Sequence, residues 1–162
     1  MIVPGRRVLN IAGFLACAGL MSFALYAQYV LLLDPCPLCV LQRVAVIGLG
    51  IVFLVAALHG ANGWGRRIYS AFIAVFAFGG VAVAGWHWRL QHLPADEVPS
   101  CGPGLEYMLQ NFPLGEALRM VFEGSGECAD VVWSFAGLSM PAWVFICVGG
   151  LGVVGAWNNL RQ

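Results

Sequence analysis

Asp34-Pro35-Cys36-Pro37-Leu38-Cys39 separates two long apolar segments, one that ends at Leu33 and another that begins at Val40. The break matters because the run before it, residues 8–33, carries no charge and exceeds the length of a membrane crossing. At about 1.5 Å of rise per residue, roughly 20 helical residues cross a hydrocarbon core of about 30 Å. Three further stretches have the same character: residues 44–58, extended upward through Val40 and Arg43, residues 68–88 with one histidine, His87, near the end, and residues 140–159. Helices are therefore expected over about 8–33, 40–59, 67–88 and 140–159. The fold class is an all-α membrane protein, a four-transmembrane-helix bundle in one integral domain, 1–162, with a large external loop over 89–139.

Composition agrees. The 162 residues are 60% hydrophobic and 10% charged, with eight arginines and no lysine, which leaves too little polar surface for a soluble domain of this size. The lipid bilayer is the expected surrounding, and nothing in the chain calls for a nucleic-acid partner. Gly48, Gly50, Gly79, Gly80, Gly149 and Gly150 suit close helix packing in lipid. Arg6-Arg7 ahead of an apolar run, with Ala16-Cys17-Ala18 inside it, has the form of a cleavable signal. The run continues uncharged to Leu33, so a retained helix is expected.

Arginine near helix ends sets orientation, since positive residues stay on the cytoplasmic side. Arg6, Arg7, Arg66, Arg67 and Arg161 then put both termini inside. Asp34, Asp96, Glu97, Glu106, Glu116, Glu123, Glu127 and Asp130 fall on the opposite side, together with Cys36, Cys39, Cys101 and Cys128. In the loop, Leu105, Met108, Leu109, Phe112, Leu114, Ala117, Leu118, Val121 and Phe122 recur at helical spacing, with Glu106, Glu116, Arg119 and Glu123 mostly off the stripe. Such a helix is expected to lie at the membrane surface and to hold Cys101 and Cys128 near Cys36 and Cys39.

Four cysteines outside the cytoplasm favour two disulfides, and three pairings are open. Pro37 suits the first turn of a helix, which puts Cys36 and Cys39 at the positive end of the dipole, where a thiolate is stabilised. Arg43 lies one turn deeper on the face of Cys39. A cation at that depth either supports the Cys39 thiolate, binds an anionic cofactor, or snorkels to headgroups. Cys17 and Cys147 fall mid-membrane and read as small apolar residues. A thiolate metal site of Cys36, Cys39, Cys101 and Cys128 is a weaker reading, because zinc sites usually carry a second closely spaced pair.

These residues carry a resemblance. The string from Asp34 to Cys39 followed by Gln42-Arg43, the loop Cys101, the stretch Ser125-Gly126-Glu127-Cys128-Ala129-Asp130, and then Trp133, Phe135, Gly137-Leu138 and Met140-Pro141-Ala142-Trp143 look like the disulfide bond formation protein B (DsbB) family of bacterial inner membranes. The match covers essentially the whole chain. It implies a protein-dithiol:quinone oxidoreductase that reoxidises a periplasmic thioredoxin-fold oxidase, DsbA-like, and passes the electrons to a quinone of the ubiquinone or menaquinone type. By the same resemblance, the partner's thiolate attacks Cys101, Cys128 then attacks Cys36, and Cys39 is released facing the quinone beside Arg43. His87 matches a family position close to the quinone. A paralogue serving a different thiol oxidase is the alternative within this chemistry. His59 and His92 are expected to be interfacial, and Trp86, Trp88, Trp133, Trp143 and Trp157 to be membrane-belt anchors.

Overall fold

The computed structural model describes residues 5–60, 62–94, 97, 107, 110–123 and 126–161. Four helices are long and apolar enough to cross a membrane: α1 (Arg6–Tyr29), α2 (Pro37–His59), α3 (Trp64–Leu90) and, last in the chain, α6 (Met140–Leu160). Between the last two lie α4 (Leu114–Glu123), the single turn α5 (Gly126–Ala129) and a hairpin of β1 (Ser134–Phe135) and β2 (Leu138–Ser139). Helix α1 packs along α2, α2 along α3, and α3 along α6, with a lighter α1–α6 contact closing the bundle.

The ends of these helices differ from the uncharged runs for local reasons. The run reaches Leu33, but α1 stops at Tyr29, because Leu32 adopts a left-handed φ of 55° and Pro35 disfavours helical backbone at Asp34. Helix α2 begins at Pro37, three residues before Val40, with Pro37 in its first turn and Cys36 as N-cap: the Cys36 sulfur accepts the Cys39 N–H at 3.3 Å. It ends at Gly60, whose φ of 57° suits a glycine C-cap. Helix α3 starts at Trp64 rather than 67 and runs to Leu90, taking Arg66 and Arg67 into its first turns.

Small residues let the helices close on large ones. The Phe53 ring, 1% exposed at the centre of the bundle, is flanked by Gly13 of α1 and Gly155 of α6, where an added Cβ would overlap it. Gly152 lies against Ala77, Gly48 against Phe76, and Gly80 against Val148. Gly79 and Gly150, by contrast, have open space beside them and make no close packing contact. Cys17 is buried in this core with Leu49, Ile73 and Val148, as a small apolar residue.

The amphipathic segment forms α4 as the spacing predicts, although Leu105, Met108 and Leu109 lie outside the described residues. Its stripe does more than face lipid. Val121 is 3% exposed and packs, with Met120 and Phe112 beside it, on a cluster of Cys36, Leu38, Leu90 and Cys128. The Trp86 indole N–H, from α3, donates to the Phe122 carbonyl at 2.8 Å and so pins the end of α4 to the bundle.

Candidate active site

Helix α2 presents its C-x-x-C at the first turn, so the two sulfurs share one helix end but face different surroundings. They lie 3.0 Å apart. Cys36 is 7% exposed and belongs to the cluster under α4, where its sulfur, a His87 ring nitrogen and the Cys128 sulfur all lie within 4.8 Å of one another. The turn α5 carries Cys128 into this position, fully buried. Cys39 is half-buried, packs against the same cluster and also lines a cavity of about 310 Å³. Cys101 lies outside the described residues.

His87 is held between these groups. Its Nε2 is 3.1 Å from the Cys128 carbonyl and 3.7 Å from the Cys36 sulfur, and its Nδ1 is 3.0 Å from the Gln42 amide nitrogen. A carbonyl can only accept, so the network assigns the proton to Nε2 and makes Nδ1 the acceptor of the Gln42 N–H. Gln42 also lines the cavity, whereas His87 is not among its walls. Cys36, His87 and Cys128 form the one compact set of metal-capable donors among the described residues, and that set omits Cys39.

The cavity sits between α1, the start of α2 and the start of α6, beneath the hairpin. Leu20, Phe23, Ala24 and Ala27 form one wall, Met140, Trp143, Val144 and Cys147 another, and Val132, Trp133 and Phe135 the cover. Phe23 and Trp133 meet edge to face at 5.3 Å, Trp133 and Phe135 stack at 6.2 Å, and the Trp143 indole donates to the Phe135 carbonyl at 3.1 Å. Trp133 and Trp143 are thus cavity walls rather than belt anchors; Trp86, Trp88 and Trp157 remain at the exposed surface. The hairpin makes this cover through a tight turn in which Ala136 and Gly137 both take positive φ, 50° and 79°.

Arg43 is the cavity's only cation among the described residues. Its guanidinium does not snorkel outward: one nitrogen donates to Gln28 Oε1 and another to the Ala24 carbonyl at 3.2 Å, both on α1. Five N–H groups in a planar fork leave donors beyond these two contacts. The site therefore has a buried pair of neighbouring sulfurs, Cys36 and Cys128, and a largely apolar cavity lined by Cys39 and Arg43.

A family sequence profile described as disulfide bond formation protein DsbB matches residues 6–158. The chain belongs to the DsbB family. Among its relatives, a protein of Nitrosococcus oceani named disulfide bond formation protein B is 52% identical over 149 residues, spanning 92% of this chain and 88% of the relative. Proteins of the same name from Methylococcus capsulatus and Hahella chejuensis are 48% and 49% identical, spanning 99% and 97% of this chain and 100% and 95% of theirs. The chain is accordingly a multi-pass membrane protein of disulfide bond formation, with an oxidoreductase role. Spacing in the sequence pointed to Cys36, Cys39, Cys128 and Arg43. It gave no sign that Gln42 contacts a ring 45 positions away, and the one clue was an amide inside an apolar run, next to Arg43.

Proposed function

We propose that this DsbB-family chain is a protein-dithiol:quinone oxidoreductase of the bacterial inner membrane. It oxidises the dithiol of a periplasmic DsbA-like thioredoxin-fold oxidase and delivers two electrons to a membrane quinone. The carrying observation is the division of the C-x-x-C: Cys36 faces Cys128, while Cys39 faces a cavity holding Arg43. Such a division suits a relay whose input is thiol exchange and whose output is a different acceptor. The charge distribution supports the orientation, with both termini cytoplasmic and the four cysteines periplasmic. Five of the eight arginines lie at one end of the bundle, and every Asp and Glu among the described residues lies toward the other.

The partner's thiolate attacks Cys101 of a Cys101–Cys128 disulfide and frees Cys128. The Cys128 thiolate attacks Cys36 of a Cys36–Cys39 disulfide, a short approach given that the two sulfurs lie within 4.8 Å, and Cys39 leaves as the thiolate. The His87 Nε2–H is positioned to donate to the Cys36 sulfur when it becomes the leaving group, as Cys101 attacks Cys128 of the Cys36–Cys128 disulfide. The partner's second thiol then releases Cys101, and Cys101 attacks Cys128, regenerating the loop disulfide and the Cys36/Cys39 dithiol. Loss of two electrons and two protons from this dithiol closes its disulfide again.

An apolar cavity with one planar cation at its edge fits a quinone ring: aromatic walls from Phe23, Trp133 and Trp143 flank a flat ring, and Arg43 N–H groups suit a carbonyl oxygen. A bound quinone supplies the two-electron, two-proton acceptor. His87 reaches that cavity only through Gln42, so its effect there is exerted by positioning. The test is to mix the detergent-purified chain with a reduced DsbA-like oxidase and follow quinone absorbance. Catalytic loss of quinone absorbance is expected, abolished by Cys39→Ser. Oxidation of the partner without quinone reduction would overturn the proposal.

A further inference from the structure

At the end of the bundle opposite the cysteines, a second cavity of about 420 Å³ is lined by Arg6, Arg7 and Asn10 of α1, Ala56 and Gly60 at the end of α2, Asn62, Tyr69 of α3 and Asn159 of α6. It plays no part in the relay. Among the described residues its only charged walls are the two arginines, and no Asp or Glu occurs before Asp34, between Pro35 and Ala95, or after Asp130. The positive charge at this end therefore has no carboxylate side chain to meet.

The cavity is built. Its floor is a buried amide cluster in which Asn10 and Asn159 exchange side-chain hydrogen bonds at 3.3 and 3.0 Å, and the fully buried Asn158 donates to Asn10 Oδ1 at 3.3 Å and to the Arg6 carbonyl at 3.1 Å. That cluster ties the start of α1, through Asn10 and the Arg6 carbonyl, to the end of α6. Arg6 donates from Nη2 to Asn62 Oδ1 at 3.2 Å, while its Nη1 is buried without a hydrogen-bond partner among the described residues. The Arg7 guanidinium lies against Gly60, in space that a Cβ there would fill. An orphaned guanidinium nitrogen costs free energy unless an acceptor reaches it. Two planar forks side by side match an acceptor with several oxygens.

We propose that this cavity binds the phosphate group of an anionic ligand: the phosphodiester of an anionic membrane lipid, or free phosphate. Arg6 and Arg7 hold the phosphate oxygens, and the Asn62 amide and the Tyr69 hydroxyl lie where they can bond neighbouring headgroup atoms. The lipid source suits the surroundings. Val8 and Leu58, exposed by 57% and 73%, continue from the cavity walls along the apolar faces of α1 and α2, where acyl chains run.

The test uses the full chain in detergent, with binding read from thermal unfolding and native mass spectrometry. Phosphatidylglycerol should bind and raise the unfolding midpoint, and phosphatidylcholine should not. Removing one arginine should weaken binding about fivefold, and the Arg6→Gln/Arg7→Gln pair more. Asn62→Asp places a carboxylate beside Arg6 with almost no change of shape, so it should abolish the lipid effect in a protein that still folds. Arg67→Gln, at the same end but outside the cavity, should leave it intact, and quinone reduction at the far end should be unchanged throughout. Inorganic phosphate forms a separate arm: a shift with the same variant dependence assigns the site to free phosphate, and its absence assigns it to lipid. Equal response to both lipids, or an undiminished response in Asn62→Asp, would overturn the proposal, as would a loss in Arg67→Gln as large as in the Arg6/Arg7 pair.

Discussion

Held on α1 by Gln28 and the Ala24 carbonyl, the Arg43 guanidinium is anchored before any ligand arrives, which limits the entropy lost when it binds one. Replacing it with Ala should leave thiol exchange between the loop cysteines and the partner intact, because the Arg43 guanidinium bonds to Gln28 and Ala24 and takes no part in the group of Cys36, His87 and Cys128. Quinone reduction should slow. A charge-assisted hydrogen bond contributes about 1.5–3 kcal/mol, so kcat/KM for quinone should fall roughly ten- to a hundredfold. Lys should restore only part of this, since a point charge lacks the planar fork. Steady-state kinetics with quinone varied at saturating partner checks both variants, and unchanged kinetics in Arg43→Ala would reduce Arg43 to a packing residue. At this scale the common position of Cys36, Cys39 and Arg43 was legible, because their spacing encodes a shared helix end. The Gln42–His87 contact was not, because helices α2 and α3 bring together residues that no local pattern relates.

At the scale of elements, the hairpin over the cavity carries a backbone feature that a substitution can relieve. Ala136 sits at φ 50°, a conformation disfavoured by roughly 1–2 kcal/mol for a residue with an ordinary Cβ. Asn tolerates it, and Asn-Gly is a favoured pair for such turns. Ala136→Asn should therefore stabilise the protein by about 0.5–1 kcal/mol, seen as a higher thermal midpoint without loss of activity. A second element, α4, is pinned by the Trp86 hydrogen bond to Phe122. Trp86→Phe should keep the ring but free that end, so limited proteolysis of the loop should speed up severalfold while the four spanning helices stay resistant. The amphipathic period of α4 was readable in the sequence; its docking over Cys36 and Cys128 was not, since a stripe states that a face is buried and not by what. Strands of two residues give no periodic signal, and Ala136-Gly137 lacked the usual asparagine, so the hairpin and its tryptophans read as loop and belt.

For the whole molecule, hydropathy alone sufficed to count the spanning helices, because lipid demands long uncharged runs with every backbone group satisfied inside each helix. Which glycines mattered depended on helix faces that the runs leave undefined. Gly152 and Gly155 meet neighbours while Gly79 and Gly150 meet none, although all lie in equally apolar sequence. The arginine end and the acidic end give the bundle its expected orientation, and reporter fusions at Gly63 and at Ala95 should report opposite sides of the membrane. Both on one side would overturn it.

The claim on which the rest depends is that Cys39 delivers electrons into the cavity. It is tested most directly by single-turnover quinone reduction in a Cys101→Ser/Cys128→Ser variant, reduced beforehand, freed of reductant and followed by quinone absorbance. With the loop pair removed, the Cys36/Cys39 dithiol should still reduce about one quinone per protein, and adding Cys39→Ser should abolish this. No quinone reduction in the loop variant, or full reduction persisting after Cys39→Ser, would contradict it.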